Sequence, residues 1–154
     1  MTFQEKRDRG PDRRQISRGG RRPSDQAGLY PSVLVADNFD GVRNPCARYL
    51  SRYHFKVVEA LDGAEALARI EADVPRIILT DSTLPEMPLG RLTEWLDRKW
   101  RGRQIPIIAM AGDLDFDSPQ LFDGCVAGVL IKPFTLERML HEVRRVLRED
   151  ATRP

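Results

Sequence analysis

From residue 31 onward, short apolar runs alternate with stretches of helical periodicity. The runs are 32–37 (SVLVAD), 55–60 (FKVVEA), 76–81 (RIILTD), 105–111 (IPIIAMA) and 128–131 (GVLI). Runs of this length bounded by turn residues read as strands buried on both faces. After the first, a helix is predicted to about Arg52 with Val42, Cys46, Tyr49 and Leu50 on one face. Its start is open, because Asp40 and the Asn44-Pro45 pair are both plausible caps. An Asp62-Gly63 turn leads into a helix over 64–72 with Leu67 and Ile70 inward. Residues 89–100 form the next, with Leu92, Leu96 and one of Trp95 and Trp100 inward. Ser118-Pro119 caps a short helix to about Phe122, the weakest of the set. Thr135 caps the last helix, where Leu136, Met139, Leu140, Val143 and Leu147 follow helical spacing over 136–147. Strand–helix alternation throughout means an α/β chain whose parallel sheet is covered by helices on both faces. Such sheets bind ligands beyond the carboxyl ends of their strands.

The first 31 residues differ from this body. They hold eight Lys/Arg against four Asp/Glu, whereas the chain as a whole carries only +2. Residues 1–32 contain six apolar side chains, without periodicity, among Gly10, Pro11, Gly19, Gly20, Pro23, Gly28 and Pro31. Such a segment buries too little surface to offset its ordering entropy, so 1–31 is expected to be a disordered Arg-rich tail. The body is expected over 32–150, with 151–154 as a C-terminal tail. Nucleic-acid or anionic-surface binding by the N-terminal tail is possible on charge alone. The interspersed acids and scarce aromatics favour a solvating leader instead.

Several classes are excluded. No apolar run approaches the ~20 residues of a membrane-spanning helix, and the N-terminus has no apolar signal-peptide core. Cys46 and Cys125 stand 79 positions apart with no clustered Cys or His, against a zinc site or a disulfide scaffold. They read as small buried hydrophobes in a reducing compartment, and a cytoplasmic location is expected. His54 and His141 stand alone and read as surface or capping residues. The glycines form no phosphate-binding loop.

Three strands end in a charged residue: Asp37, Asp81 and Lys132. Any one alone is an ordinary solvated strand end. Two carboxylates and an ammonium at one sheet edge suit a hard divalent cation and a phosphate. One of the carboxylates is then a candidate nucleophile that would form an acyl phosphate.

The stretches 33–43 (VLVADNFDGVR), 81–87 (DSTLPEM) and 132–134 (KPF), with 57–67 (VVEALDGAEAL) and 105–112 (IPIIAMAG), resemble the receiver domain of bacterial response regulators. The resemblance spans residues 32–150. It implies a doubly wound, flavodoxin-like sheet of strand order 2-1-3-4-5, and phosphoryl transfer from a histidine kinase or phosphotransfer protein to an aspartate. By that resemblance Asp81 is the phosphoacceptor, Asp37 a Mg²⁺ ligand, the Thr83 backbone carbonyl another, and Lys132 the phosphoryl contact. The Lys132-Pro133 bond is then a candidate for the cis form.

Three positions depart from the family pattern. Asn38 stands where a second acid is usual, which lowers the site's formal charge from −3 to −2 and weakens Mg²⁺ binding. Ala111 replaces a hydroxyl residue that would bond the phosphoryl oxygen, a loss of roughly 1.5–3 kcal/mol of coupling. Val129 replaces the switch aromatic. The Asp-rich 112–124 stretch, in the place of the family's output surface, also looks reduced.

The leading expectation is a single-domain response regulator, not an enzyme, that signals by binding an unknown downstream protein. Residues 151–154 leave no room for an output domain. The alternative is a pseudo-receiver, a binding module independent of phosphorylation, motivated by Asn38, Ala111 and Val129. An aspartyl phosphatase is the third reading; it would need an acid two residues after the nucleophile, where Thr83 stands.

Overall fold

The computed structural model describes residues 30–100, 104–112 and 126–152. The elements are β1 (Ser32–Ala36), α1 (Asp40–Arg52), β2 (Lys56–Ala60), α2 (Gly63–Ala72), β3 (Ile77–Asp81), α3 (Leu89–Lys99), β4 (Ile107–Ala111), β5 (Val126–Ile131) and α4 (Leu136–Ala151). The strands form one sheet in the order β2-β1-β3-β4-β5, with every pairing parallel. The expected doubly wound 2-1-3-4-5 sheet is the one observed.

Alternation along the strands sorts the core into two layers. Leu34, Ala36, Ile78, Ile107, Ala109 and Ala111 face one way, packing with Ile70 of α2 and Leu92 and Leu96 of α3. Val33, Val35, Ile77, Leu79, Ile108 and Met110 face the other, against Cys46 and Leu50 of α1 and Met139 and Val143 of α4. Each large side chain so buried contributes about 1.5–3 kcal/mol. β3 and β4 are buried along their whole length, whereas β2 and β5, at the sheet edges, are only partly so. The continuous apolar runs of the inner strands reflect that double cover.

Local chemistry sets the helix ends. α1 begins at Asp40 with Phe39 in the N-cap position and no side-chain cap, so neither Asp40 nor Asn44 caps it, and Pro45 lies inside the helix. The Phe39 carbonyl already accepts from Val42 and Arg43 N–H groups, which commits the chain to helix before Pro45 is reached. The buried residues of α1 are Arg43, Cys46, Ala47 and Leu50, while Val42 and Tyr49 are only partly covered. The inward face is therefore rotated from the one expected, and a charged residue occupies it. Asp62 does more than turn the chain: it caps α2 by accepting from Glu65 N at 2.9 Å, and Glu65 returns a carboxylate oxygen to Leu61 N at 2.7 Å. Ala66 and Ile70 are the buried pair on α2, with Leu67 at the margin. Neither Trp95 nor Trp100 is fully core. Both are partly buried and meet edge-to-face at 5.5 Å. Thr135 caps α4 by accepting from Arg138 N at 3.1 Å. Val146 joins Met139, Leu140 and Val143 in the core, while Leu136 and Leu147 stay partly exposed. The helix runs to Ala151, four residues past the Leu147 end of the expected pattern.

Cys46 is 1 % exposed, a small buried hydrophobe as read. The expected tail (all but Tyr30 and Pro31 of residues 1–31), the 118–122 helix and Cys125 lie outside the described residues. No described helix is long and apolar enough to cross a membrane.

His54 ends α1 in a left-handed conformation, φ 69°. Its N–H donates to the Ser51 carbonyl and that of Phe55 to the Leu50 carbonyl, the paired bonds of a Schellman cap at a site that favours glycine. Relief of the Cβ clash exceeds the added chain entropy, so His54→Gly is expected to stabilise the fold by about 0.5–1 kcal/mol. Chemical denaturation checks this, and a lower midpoint for the variant would contradict it.

Candidate functional site

The parallel strands deliver Asp37, Asp81 and Lys132 to one edge. Asp37 follows β1 immediately, and its N–H extends the ladder to the Ala60 carbonyl at 3.0 Å. Its side chain is fully buried, and Oδ1 accepts from Phe39 N at 2.9 Å. Asp81 closes β3, 8 % exposed. Lys132 follows β5, and its N–H donates to the Ala111 carbonyl at 2.8 Å. Its Nζ reaches Asp37 Oδ2 at 2.9 Å and Asp81 Oδ1 at 3.6 Å. One ammonium thus bridges two carboxylates from the neighbouring strands β1 and β3, both earlier in the chain. The Lys132-Pro133 bond is cis.

The turn after β3 holds Asp81. Leu84 N donates to the Asp81 carbonyl at 3.3 Å, and Ser82 N to that of Met110 at 2.9 Å. Thr83 is exposed, and both its backbone N–H (3.3 Å) and its Oγ1 hydroxyl (3.4 Å) point to Asp81 Oδ1. The Pro85 carbonyl accepts from Gly63 N at 2.8 Å, tying this loop to the start of α2. A Cβ on Gly63 would lie 2.5 Å from that of Met87, so this close approach requires glycine.

Asn38 lies exposed beside Asp37. Ala111 ends β4 fully buried, its methyl in the α2–α3 layer. Val129, partly buried on β5, packs on the same layer. The structure therefore brings Asp37, Asp81, Lys132 and Thr83 together and leaves an apolar group at the end of β4.

The sequence reading missed Arg43. It lies under the site, 8 % exposed, and Nη1 donates to the Asp37 carbonyl at 2.8 Å. Burial opposes its charge, but hydrogen bonds to Asp40 and Glu59 outweigh it and raise its pKa above the ordinary value. The missed signal was phase, because position 43 falls on the same helical face as Cys46, Ala47 and Leu50. Cys46 lies nearby. Burial pushes its thiol up to about 11, Asp37 adds to the shift and Lys132 opposes it, so the sulfur stays protonated and inert. Beside Lys132, an apolar groove of about 520 Å³ runs between Phe39, Val42 and Pro45 on one side and Pro133, Phe134 and Leu136 on the other.

Among the described residues no group of three or more His, Cys, Asp or Glu is arranged to hold a metal. Two hard carboxylates at one edge still fit Mg²⁺, which commonly takes one or two protein carboxylates and keeps waters for its other positions.

Residues 33–144 match the model of the response regulator receiver domain. The chain is 33% identical over 124 residues to the response regulator MprA of Mycobacterium tuberculosis, covering 77% of this chain and 53% of that one. It is 31% identical over 114 residues to a hybrid signal transduction histidine kinase D of Dictyostelium discoideum, covering 73% of this chain and 7% of that protein. The chain thus spans about half the length of the former and a small part of the latter. Its fold superposes on the chemotaxis response regulator CheY4 of Vibrio cholerae with a TM-score of 0.69 at 23% identity, over 77% of this chain and 99% of that one. It also superposes on the receiver domain of AraT, a response regulator from Geobacillus stearothermophilus, with a TM-score of 0.68 at 24% identity, over 79% and 95%. With the matched family model spanning most of the chain and the sheet order that goes with it, this chain belongs to the response regulator receiver domain family.

Proposed function

We propose that this receiver accepts a phosphoryl group on Asp81 from the phosphohistidine of a histidine kinase or phosphotransfer protein, in a Mg²⁺-dependent step, and signals by binding a downstream protein. The observation that carries the reading is the convergence of Asp37, Asp81 and Lys132, with Nζ within 2.9 Å and 3.6 Å of the two carboxylates. An Asp81 carboxylate oxygen attacks phosphorus while the phosphorus–nitrogen bond breaks. The electron pair stays on the imidazole nitrogen, and an acyl phosphate forms. Lys132 moves from the carboxylates to a phosphoryl oxygen and balances its charge. Asp37, Asp81 and the Thr83 carbonyl would hold Mg²⁺, with Asn38 a weaker neighbour. The ion supplies charge neutralisation for the incoming phosphoryl group. The groove beside Lys132 offers a protein donor an apolar surface next to the acceptor. With Thr83 in place of a second acid, the chain does not turn over external phosphate esters and is not an enzyme. We place it in the cytoplasm, where such donors and reduced thiols are found.

Ala111 and Val129 give this receiver a weak conformational readout of phosphorylation. Asn38 weakens its hold on Mg²⁺, so Asn38→Asp is expected to tighten Mg²⁺ binding about tenfold, or roughly 1.4 kcal/mol. Titration calorimetry reads this, and unchanged affinity would remove Asn38 from the ion's surroundings.

The test of the whole reading is intact-protein mass after incubation with acetyl phosphate and Mg²⁺. A single phosphoryl adduct is expected, absent without Mg²⁺ and absent in Asp81→Asn. No adduct on folded protein at high donor and Mg²⁺ would overturn it. That outcome would favour the pseudo-receiver, a binding module that works without phosphate.

A further inference from the structure

Among the described residues, the most buried charge that the proposed transfer does not use is Arg43 of α1, and it is bonded to the loop carrying Asp37. Each of its three guanidinium nitrogens donates a hydrogen bond. Nε donates to Glu59 Oε1 at 3.0 Å, Nη2 to Asp40 Oδ1 at 2.6 Å and, at 3.5 Å, to Asn44 Oδ1, and Nη1 to the Asp37 carbonyl at 2.8 Å. Asp40 and Arg43 belong to α1 and Glu59 to β2, so the fork joins those two elements across the end of β1.

Between its own N–H on Ala60 and its carbonyl on Arg43, Asp37 is fixed at both ends of its backbone. Its side chain is aimed by the Phe39 N–H, and the Phe39 carbonyl in turn accepts from the Arg43 N–H at 3.0 Å. Arg43 therefore grips the three-residue loop twice, through its side chain and through its backbone. The charges matter as much as the geometry. Asp40 and Glu59 together outweigh the guanidinium by one negative charge, so its presence beneath Asp37 does not subtract from the field that attracts a cation. A planar fork with several donors can hold two carboxylates and a carbonyl at once, which a lysine ammonium on a flexible stem does less well.

We propose that Arg43 is a positioning residue of the cation site: through the Asp37 carbonyl it sets the direction in which the Asp37 carboxylate faces the metal. The inference rests on the Mg²⁺ reading of the site. Groups that orient metal ligands from behind typically change affinity 10–100-fold when removed.

The test uses the full chain, with Mg²⁺ as the probe. In Arg43→Ala, Mg²⁺ affinity by titration calorimetry is expected to fall at least tenfold, while the maximal rate of phosphoryl uptake at saturating Mg²⁺ stays within about twofold. Hydrogen exchange at the Phe39 amide should accelerate in the same variant, because the loop loses its anchor. Arg43→Lys should fall between the two proteins. Glu59→Gln keeps the carbonyl bond but removes a compensating charge, and should weaken Mg²⁺ binding by a smaller factor. Wild-type Mg²⁺ affinity in folded Arg43→Ala would overturn the proposal. If that variant does not fold, Arg43→Lys and Glu59→Gln carry the decision, and wild-type affinity in both would overturn it. Absence of Mg²⁺ binding by the wild-type chain would overturn the cation reading itself, together with any role for Arg43 toward the ion. Exchange at the Phe39 amide would then report separately on the loop.

Discussion

Lys132→Ala is expected to slow phosphoryl uptake by about 10²–10³-fold while tightening Mg²⁺ binding. Both effects follow from one distance. In the structure Nζ sits 2.9 Å from Asp37 Oδ2, so the ammonium and a divalent cation compete for the same carboxylate. An ammonium and a divalent cation about 5 Å apart repel by roughly 7 kcal/mol at an effective dielectric of 20, more than enough to raise Mg²⁺ affinity about tenfold once the ammonium is gone. The same variant loses the donor that meets negative charge as it develops on the phosphoryl oxygens. Titration calorimetry and a time course of intact mass read the two effects separately. A variant with slower uptake and unchanged Mg²⁺ affinity would show that the ammonium does not compete for the cation.

Asp37→Asn is expected to weaken Mg²⁺ binding by about 10–100-fold, corresponding to ~1.5–3 kcal/mol of lost charge-assisted interaction. An amide is close to a carboxylate in shape and retains an oxygen to accept from Phe39 N, so the loop geometry survives and the change is mainly one of charge. Lys132 keeps Asp81 as a neighbour at 3.6 Å. Phosphoryl uptake should recover as Mg²⁺ is raised, in contrast to Asp81→Asn, which has no acceptor at any concentration. Uptake with the wild-type Mg²⁺ dependence in Asp37→Asn would take this residue out of the metal's coordination.

These expectations concern residues that the sequence made visible to very different degrees. Asp37, Asp81 and Lys132 were legible because each ends an apolar run, and in a parallel sheet all such ends lie on one side. Their separation in sequence, up to 95 positions, is erased by strand order. The caps Asp62 and Thr135 sit where a polar residue precedes a helical pattern, although the Asp62-Gly63 pair by itself signals only a turn. The start of α1 was ambiguous because proline is as good a helix starter as Asp40. Contacts of the Phe39 carbonyl, not local propensity, settled it.

Arg43 shows where sequence reading fails. Apolar periodicity counts a charged residue as outward, and only the packing of α1 on the sheet reveals that its head group is matched by Glu59, sixteen positions away on another element. Trp95 and Trp100 fail for the opposite reason: size suggests core for one of them, but both are only partly buried, and each packs against the other.

By itself, then, the sequence determined the α/β alternation, the two-sided burial of the inner strands and the three charged strand ends, because these depend on period and local chemistry. The tertiary structure alone decided which carboxylate the lysine meets first, and that Glu59 and the Asp37 carbonyl are what the Arg43 head group meets. Those are matters of distance between segments far apart in the chain, and no local pattern encodes them.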